Sequence, residues 1–239
     1  KSMGVQVFTA ESEAARGLDW RALAGYDHIR AALEGELLLQ LRHPQAYADV
    51  AAKTRTRPES NRTAAILFEG PPGTGKTTAA RVLAATAGVP LIHLPAERVA
   101  SKWYGEEQKN LAAVLEAADA LGGAIVFIDE IESLAPSRAR AHAHEATNKT
   151  LSVLLRSLDG FESAGTTTLI AATNRRNDVD EALLSRFALT LTFDLPPPEA
   201  RRAIWRWYAK QLGEAAVARL VAASEGMSAR DIRHACESA

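Results

Sequence analysis

Short apolar runs alternate with longer segments of helical spacing over most of this chain. The apolar runs cover residues 64–68, 91–94, 124–128, 167–172 and 189–193, and the segments of helical spacing between them cover 77–87, 111–121 and 148–158. Short apolar strands that alternate with helices are typical of a parallel sheet covered on both faces. The pattern therefore predicts an α/β domain with a parallel sheet sandwiched by helices.

The two ends of the chain depart from this alternation. Residues 11–47 show helical spacing with a break at Gly25-Tyr26, and the polar, basic stretch 55–62 is expected to be a loop. Three prolines at 196–198 can continue neither a strand nor a helix, and helical patterns follow over 199–212, 214–223 and 228–239. Ser228 is the predicted N-cap of the last helix.

These departures suggest three parts. Residues 1–17 are expected to be an N-terminal linker or a cloning remnant, residues 18–195 a large α/β domain, and residues 196–239 a small helical domain. The last helical pattern is still running at residue 239, so the small domain is expected to be truncated.

Composition limits the partners. The net charge is -1 and the isoelectric point near 6.7, so no nucleic-acid partner is evident. No apolar run approaches the roughly 20 residues that cross a bilayer, and membrane association through other segments is left open. The single cysteine, Cys236, excludes an internal disulfide and fits an intracellular, reducing compartment. The cytoplasm and an organelle such as a mitochondrion or plastid both remain open.

A phosphate-binding motif occupies residues 70–77, Gly-Pro-Pro-Gly-Thr-Gly-Lys-Thr, between a predicted strand and a predicted helix. Its glycines allow backbone N–H groups to face a phosphate chain, Lys76 reaches the β and γ phosphates, and the Thr77 hydroxyl is a Mg²⁺ ligand. ATP or GTP is the expected ligand; the alternative is an ordinary Gly/Pro loop. The nucleotide-binding residues expected here are Pro72, Gly73, Thr74, Gly75, Lys76, Thr77 and Thr78.

Two further predicted strands end in polar residues. Asp129 and Glu130 follow the apolar run 124–128, and Asn174 follows the run 167–172. Because the carboxyl ends of parallel strands face the ligand crevice, Asp129 is expected to hold Mg²⁺ and Glu130 to activate the attacking water. Asn174 is expected to bind the γ-phosphate or that water. The alternatives are acids that cap a buried strand and an ordinary turn-forming asparagine.

Taken together, these motifs resemble those of the AAA ATPases, and within them the group that contains katanin and spastin. The resemblance extends from about residue 18 onward. It is carried by residues 70–77, 101–106 (Ser-Lys-Trp-Tyr-Gly-Glu), 127–132 (Phe-Ile-Asp-Glu-Ile-Glu), 172–175 (Ala-Thr-Asn-Arg), 185–187 (Ser-Arg-Phe) and 227–232 (Met-Ser-Ala-Arg-Asp-Ile).

The resemblance implies a homo-hexameric ring that binds ATP and Mg²⁺ between neighbouring subunits. Gly25 and Tyr26 then lie against adenine, unless they form a plain helix break. Arg186 matches the arginine finger that one subunit inserts into the next, so Lys76, Glu130, Asn174 and Arg186 are the expected catalytic residues. Residues 159–161, Asp-Gly-Phe, match a motif for communication between subunits or are a helix end capped by glycine.

The resemblance also implies a protein substrate. Lys102, Trp103 and Tyr104 correspond to the first pore loop, where Trp103 would grip an extended polypeptide in the central channel. The alternative is a Trp-Tyr pair buried in the core. The basic segment 137–144 corresponds to the second pore loop, or it is a solvated loop.

Three positions depart from the family pattern. Leu189 stands where a second finger arginine often occurs, and Asn148-Lys149 replaces the arginine pair usual in katanin-like enzymes. Arg230 replaces a small residue before the last helix. It is either a sensor arginine on the nucleotide of its own subunit or an exposed first-turn arginine.

The function expected from these features is an ATP-hydrolysing remodeller that threads protein through a ring. One alternative is a nucleotide-gated assembly or scaffold protein with little turnover, and another is the motor half of a protease. This chain by itself is expected to be monomeric in dilute solution, with the hexamer formed by the longer protein.

Overall fold

The computed structural model describes residues 5–15, 17–54, 63–96, 107–121, 123–137, 145–163 and 167–238. Six strands form one sheet in the order β1-β3-β4-β5-β2-β6. Strands β2 to β6 are parallel, and β1 pairs antiparallel with β3. Their bounds are β1 Gln6–Phe8, β2 Ala65–Glu69, β3 Leu91–Pro95, β4 Ile125–Asp129, β5 Thr168–Thr173 and β6 Leu189–Thr192. The predicted parallel α/β sheet is confirmed.

Helices surround the sheet and follow it. Their bounds are α1 Ala10–Ala15, α2 Asp27–Leu33, α3 Leu39–Arg42, α4 Pro44–Thr54, α5 Lys76–Ala87, α6 Glu107–Ala120, α7 Glu145–Ser163, α8 Glu181–Leu184, α9 Pro198–Tyr208, α10 Glu214–Ala223 and α11 Ala229–Glu237. A π-helical segment, Glu34–Leu38, joins α2 to α3. Short 3₁₀ turns cover Trp20–Leu23, Ile131–Ser133 and Arg176–Asp178.

The sheet is buried on both faces, as a parallel sheet requires. Along β2, Ile66 and Phe68 belong to one apolar cluster, whereas Leu67 between them belongs to the other. All three side chains are fully buried. The same alternation runs through β4 and β5, so each strand contributes to a core on either side.

The N-terminal segment is part of the sheet. Residues 6–8 form β1, in which Val7 pairs with Ile92 of β3, and α1 packs against α5. The expectation of a linker over residues 1–17 is therefore wrong for residues 6–15. Only three residues form the strand, too few for an alternating pattern to predict it.

Helices α9, α10 and α11 enclose a third, separate apolar cluster. It contains Ile204, Trp205, Val217, Val221 and Ile232. This separate cluster supports the predicted small helical domain, whose limits stay a prediction.

Three details order this helical unit. Pro198 is the first residue of α9, where its missing N–H costs nothing. The buried Arg201 donates from Nη1 to the Pro196 carbonyl over 3.0 Å and from Nη2 to the Val221 carbonyl over 3.1 Å. Ser228 and Asp231 form a reciprocal capping box at the start of α11, so the predicted N-cap is confirmed.

Tyr26 and Gly25 join the sheet to the helical unit. The Tyr26 hydroxyl donates to the Asp194 carbonyl over 2.6 Å, and its ring contacts that of Phe193. Gly25 has φ +85°, and a Cβ atom there would lie 2.0 Å from the Ala200 Cβ on α9. Only glycine therefore permits this close approach of the two backbones.

Candidate functional site

The phosphate-binding motif lies at the carboxyl end of β2 and leads into the N-terminus of α5. Gly73 and Gly75 adopt left-handed backbone angles, with φ of 79° and 101°. Such angles are readily reached only by glycine, and they let successive N–H groups point into one concavity. Gly75 is the N-cap of α5, which begins at Lys76. The predicted strand, loop and helix order is present.

Lys76 is folded back over this loop. Its Nζ donates to the carbonyl of Gly70 over 2.6 Å and to that of Pro71 over 2.8 Å. Burial lowers the pKa of the Lys76 amine to about 8, against the opposing pull of the Asp129 and Glu132 carboxylates. The amine is therefore a buried cation held by two backbone oxygens beside the cleft.

The two acids at the end of β4 lie beside the loop, as the sequence predicts. The Thr77 hydroxyl donates to Asp129 Oδ2 over 3.1 Å, and the Glu130 N–H donates to Asp129 Oδ1 over 3.1 Å. Glu130 has φ 56°, the one non-glycine residue with positive φ in the described parts of the chain. A glutamate in this region is strained, and such strain concentrates at functional sites.

Asn174 follows β5 and reaches the same place. Its backbone N–H lies 3.4 Å from Oε1 of Glu132, a residue of the turn after Glu130. Two residues further on, Arg176 donates to Glu69 Oε2 over 2.6 Å, and Thr192 donates to Glu69 Oε1 over 3.0 Å. The ends of β2, β5 and β6 are thereby held together behind the phosphate-binding loop.

The phosphate-binding loop, the two acids after β4 and Asn174 line one open cleft of about 540 Å³, a volume in the range of small-molecule sites. Its walls carry four cationic side chains, Lys76, Arg81, Arg230 and Arg233, against two acids, Asp129 and Glu130. The balance favours an anionic ligand.

The cleft brings together most of the predicted nucleotide-site residues. Those in its walls are Tyr26, Pro72, Gly73, Thr74, Gly75, Lys76, Thr77, Thr78, Asp129, Glu130, Asn174 and Arg230. Gly25 does not belong to the wall. It lies behind the wall against Ala200, while its neighbours Ala24 and Tyr26 face the cleft. The expectation that Gly25 touches the base is not supported by this placement.

The start of α11 closes over the phosphate-binding loop. The Arg230 N–H donates to the Gly73 carbonyl over 3.2 Å. A Cβ at Gly73 would lie 2.5 Å from Ser228 Oγ and 2.9 Å from Arg230 Cβ. The exposed Arg230 side chain therefore stands directly beside the loop.

Sequence reasoning missed several residues of the cleft. Arg81 lies on α5, Trp207 and Tyr208 end α9, and Arg233 is one turn beyond Arg230 on α11. Arg230 and Arg233 are three residues apart, so they lie on the same face of a helix, and this spacing could have identified Arg233 as a further cleft residue. Trp207 and Tyr208 carried no such signal, because only the fold brings α9 to the cleft.

Arg186 is not a wall residue of this cleft. It is exposed, and its Nε donates to Asp159 Oδ1 over 2.8 Å. Asp159 belongs to α7, which continues to Ser163, so the alternative of a helix that ends in a glycine cap at Gly160 is wrong. An arginine that serves a neighbouring subunit is expected to lie outside its own cleft.

Several predicted features fall outside the described residues. They are the pore-loop residues Lys102, Trp103 and Tyr104, the loop 55–62 and residues 138–144 of the second pore-loop segment. Within the described chain there is no group of three or more His, Cys, Asp or Glu residues that suits a metal ion. Thr77 and Asp129, which are hydrogen-bonded to each other, remain the predicted oxygen ligands of a cation.

Residues 66–195, more than half of the chain, match the model of the ATPase family associated with various cellular activities (AAA). The chain therefore belongs to the AAA family of ATPases. A solved structure, that of the FIGL-1 AAA domain in complex with ADP, superposes with a TM-score of 0.79 at 26% identity. The match covers 98% of this chain and 74% of that one. The resemblance to AAA ATPases and the P-loop fold are confirmed.

Relatives are found in several branches of the family. A mitochondrial sorting homolog of Caenorhabditis elegans is 34% identical over 227 residues, 92% of this chain and 63% of the relative. A cell division cycle protein 48 homolog of Archaeoglobus fulgidus is 32% identical over 225 residues, 92% of this chain and 30% of the relative. Katanin p60 ATPase-containing subunit A1 of Arabidopsis thaliana is 30% identical over 234 residues, 93% of this chain and 43% of the relative.

The chain thus spans between 30% and 63% of the length of these three relatives. Among the helices that the structure describes, none combines the length and apolar character that a membrane crossing requires.

Proposed function

We propose that this chain is the ATP-hydrolysing module of a ring-forming protein remodeller. The observation that carries the proposal is the convergence of Lys76, Thr77, Asp129, Glu130 and Asn174 on one cationic cleft. They come from three different strand ends, and together they supply the cation, metal ligands, base and polar amide that phosphoanhydride hydrolysis needs.

ATP is the proposed ligand, with its phosphates on the loop of residues 70–77. Lys76 leaves the carbonyls of Gly70 and Pro71 and neutralises the phosphate charge. Thr77 and Asp129 would hold Mg²⁺, which would supply further positive charge to the phosphates. The two oxygen atoms of this pair lie 3.1 Å apart, and hard oxygen ligands of this kind fit magnesium.

Glu130 is the proposed general base, because it adjoins the metal ligand Asp129 and lines the cleft. Asn174 is proposed to orient the γ-phosphoryl group or the attacking water. Arg230 is proposed to act as a sensor arginine, a role supported by its place beside Gly73. Because the Arg230 N–H donates to the Gly73 carbonyl, a ligand that shifts the phosphate-binding loop would also shift the start of α11.

Arg186 is proposed to complete the site of an adjacent subunit. An arginine finger of this kind contributes roughly 10³- to 10⁵-fold to turnover, so hydrolysis would depend on assembly. The assembly proposed is a homo-hexamer of the longer protein, and the single chain is proposed to be monomeric when dilute.

The proposed substrate is a polypeptide drawn through the ring. Support comes from the sequence match of Lys102, Trp103 and Tyr104 to the first pore loop and from the kinship with a cell division cycle protein 48 homolog.

A reducing compartment is proposed for the protein, and the mitochondrial sorting homolog among its relatives makes an organelle a candidate.

One observation favours a second candidate, a nucleotide-gated scaffold with little turnover. Leu189, at the place of a second finger arginine, is a half-buried residue of β6 that packs against the core. No charged side chain can serve the neighbour from that position, so trans activation would rest on Arg186 alone. A protease motor half would need a catalytic domain elsewhere in the protein.

A phosphate-release assay at rising protein concentration separates these functions. Turnover per subunit that rises with concentration, and that collapses in Glu130→Gln and Arg186→Ala, supports the remodeller. Slow turnover that stays flat with concentration supports the scaffold. Trp103→Ala is expected to keep basal ATPase but to abolish unfolding of a tagged substrate protein, and continued unfolding would contradict threading.

A further inference from the structure

Arg81 faces the cleft from an unusually constrained position. On one side its Cζ lies 4.7 Å from the centre of the Phe8 ring, a cation–π distance. On its edge, Nε and Nη2 both bind Glu13 Oε2, over 2.8 Å and 2.6 Å. A guanidinium has five N–H donors in one plane, so three donors remain for other partners. The plane is fixed before any ligand arrives.

Glu13 holds a second part of the same cleft. Its carboxylate binds Arg81, and its backbone carbonyl accepts the Leu18 N–H over 3.3 Å. Leu18 and Arg81 both belong to the cleft wall. The Glu13 residue is only 1% exposed, so water competes little for its carboxylate and this ion pair is stronger than a surface pair.

Arg81 stands away from the phosphate end of the cleft. The groups expected to take phosphate surround the first turn of α5, whereas Arg81 is five residues beyond Lys76, about 7.5 Å further along a helix. The cleft is also lined by Leu18, whose N–H Glu13 binds, and by Ala22, Leu23, Ala24 and Tyr26. A ligand whose phosphates lie on the loop would present its base or ribose here.

We propose that Arg81 binds the nucleoside end of the bound nucleotide, and that Glu13 and Phe8 are positioning residues that hold its guanidinium for this purpose. A fixed planar guanidinium stacks on a purine or donates to ribose and ring acceptors. The proposal rests on nucleotide binding in this cleft and adds residues 6–15 to the site. Strand β1 and helix α1 would thereby hold a nucleotide-binding side chain in place.

The test compares ADP with inorganic tripolyphosphate, which carries phosphates but no nucleoside. Dissociation constants for both are measured by calorimetry on the wild type, Glu13→Gln, Arg81→Gln and Arg81→Lys. Glu11→Gln is the matched control, because Glu11 is an exposed glutamate on the same helix. Circular dichroism and thermal unfolding establish that each variant is folded.

Arg81→Gln and Glu13→Gln are each expected to weaken ADP binding by about tenfold, which is roughly 1.4 kcal/mol. Their tripolyphosphate affinity is expected to stay within about twofold of the wild type, as is every affinity of Glu11→Gln. The double variant Glu13→Gln/Arg81→Gln is expected to be no weaker than Arg81→Gln, because Glu13 acts through Arg81.

Unchanged ADP affinity in folded Arg81→Gln overturns the proposal. An equal loss for tripolyphosphate also overturns it, since that result assigns Arg81 to general phosphate attraction. If Arg81→Gln does not fold, Arg81→Lys decides, because it keeps the charge and loses the planar fork: unchanged ADP affinity in that variant refutes the assignment. Failure of the wild type to bind either ligand would instead refute the proposed function.

Discussion

Arg186 Nε donates to Asp159 Oδ1 over 2.8 Å, so the expected arginine finger is engaged within its own chain. The two side chains are 41% and 53% exposed, and exposed ion pairs contribute about 0–1 kcal/mol. The bond is therefore weak enough to be exchanged for a stronger partner. A buried phosphate in an adjacent subunit would be such a partner.

Arg186→Ala is expected to lower ATP turnover at high protein concentration by about 10³-fold or more, with the free energy of unfolding changed by less than about 1 kcal/mol. Asp159→Asn keeps the shape of the side chain and releases Arg186, so turnover below saturating concentration is expected to rise. Phosphate release against protein concentration measures both. A loss in Asp159→Asn as large as in Arg186→Ala would mean that the pair acts as a unit.

The lowered pKa of Lys76 predicts that the protein takes up protons when ADP binds. Its pKa of about 8 without ligand leaves the amine about half protonated at pH 8, and nearby phosphate raises that pKa. Binding of ADP at pH 8 is therefore expected to take up about half a proton, and far less at pH 6.5. Calorimetry in buffers of different ionisation enthalpy measures the uptake.

Lys76→Arg is the control for this uptake, because arginine stays charged throughout the range and should abolish it. The same pKa sets a pH dependence of stability without ligand. Since the folded pKa lies below the ordinary value of 10.5, the Lys76 contribution is unfavourable at pH below 8 and fades as pH rises from 8 towards 10.5. Tight ADP binding at pH 8 with no proton uptake would contradict the claim that bound phosphate raises the lowered pKa of Lys76.

The positive φ of Glu130 predicts that replacing this residue with glycine stabilises the fold but removes activity. Its φ of 56° is unfavourable for any side chain with a Cβ, and glycine removes that strain. Glu130→Gly is expected to raise the free energy of unfolding by up to about 1 kcal/mol, whereas Glu130→Gln should change it by less than about 0.5 kcal/mol. Both should abolish hydrolysis. Urea denaturation measures the stability, and a destabilised Glu130→Gly would show that the backbone is not strained there.

The hydrogen bond from Tyr26 to the Asp194 carbonyl predicts that the loss of the Tyr26 hydroxyl lowers the free energy of unfolding. Tyr26→Phe removes the 2.6 Å hydrogen bond and leaves the Asp194 carbonyl without that donor, at a cost of about 1–2 kcal/mol. Tyr208→Phe is the control, since Tyr208 is 43% exposed. Burial, with the charge of Asp194 nearby, raises the pKa of Tyr26 from 10.0 to about 12. The stability difference between these variants should therefore stay constant from pH 7 to about 9 and shrink as the pH rises above about 10, where Tyr26 ionises in the unfolded chain. Denaturation at several pH values checks this.

The parallel sheet and the phosphate end of the cleft were predictable because their signals are local. Residues 70–77 carry a complete motif, and the apolar runs before Asp129 and Asn174 identify two strands whose ends must meet in a parallel sheet. The structure brings these groups together without exception. Helix ends were also predictable where a cap was present, as at Ser228.

The part of the cleft around Arg81 was not predictable, because its residues meet only in the folded chain. Glu13 and Arg81 are 68 positions apart, and neither lies in a recognisable motif. Glu69 and Arg176 are 107 positions apart, and their bond depends on two strand ends lying side by side. The resemblance implies that Gly25 lies against adenine, and its local sequence did not reveal that it makes room for Ala200 of α9.

The connection between the sheet and the helical unit has an anchor on each side. The Asp194 carbonyl is bound by Tyr26 from the sheet side, and the Pro196 carbonyl is bound by Arg201 from the helical side. Only Leu195 lies between these two anchors. A rotation of the helical unit relative to the sheet would therefore be concentrated at Leu195, and the prolines that follow, whose φ angles are fixed, would transmit it to α9.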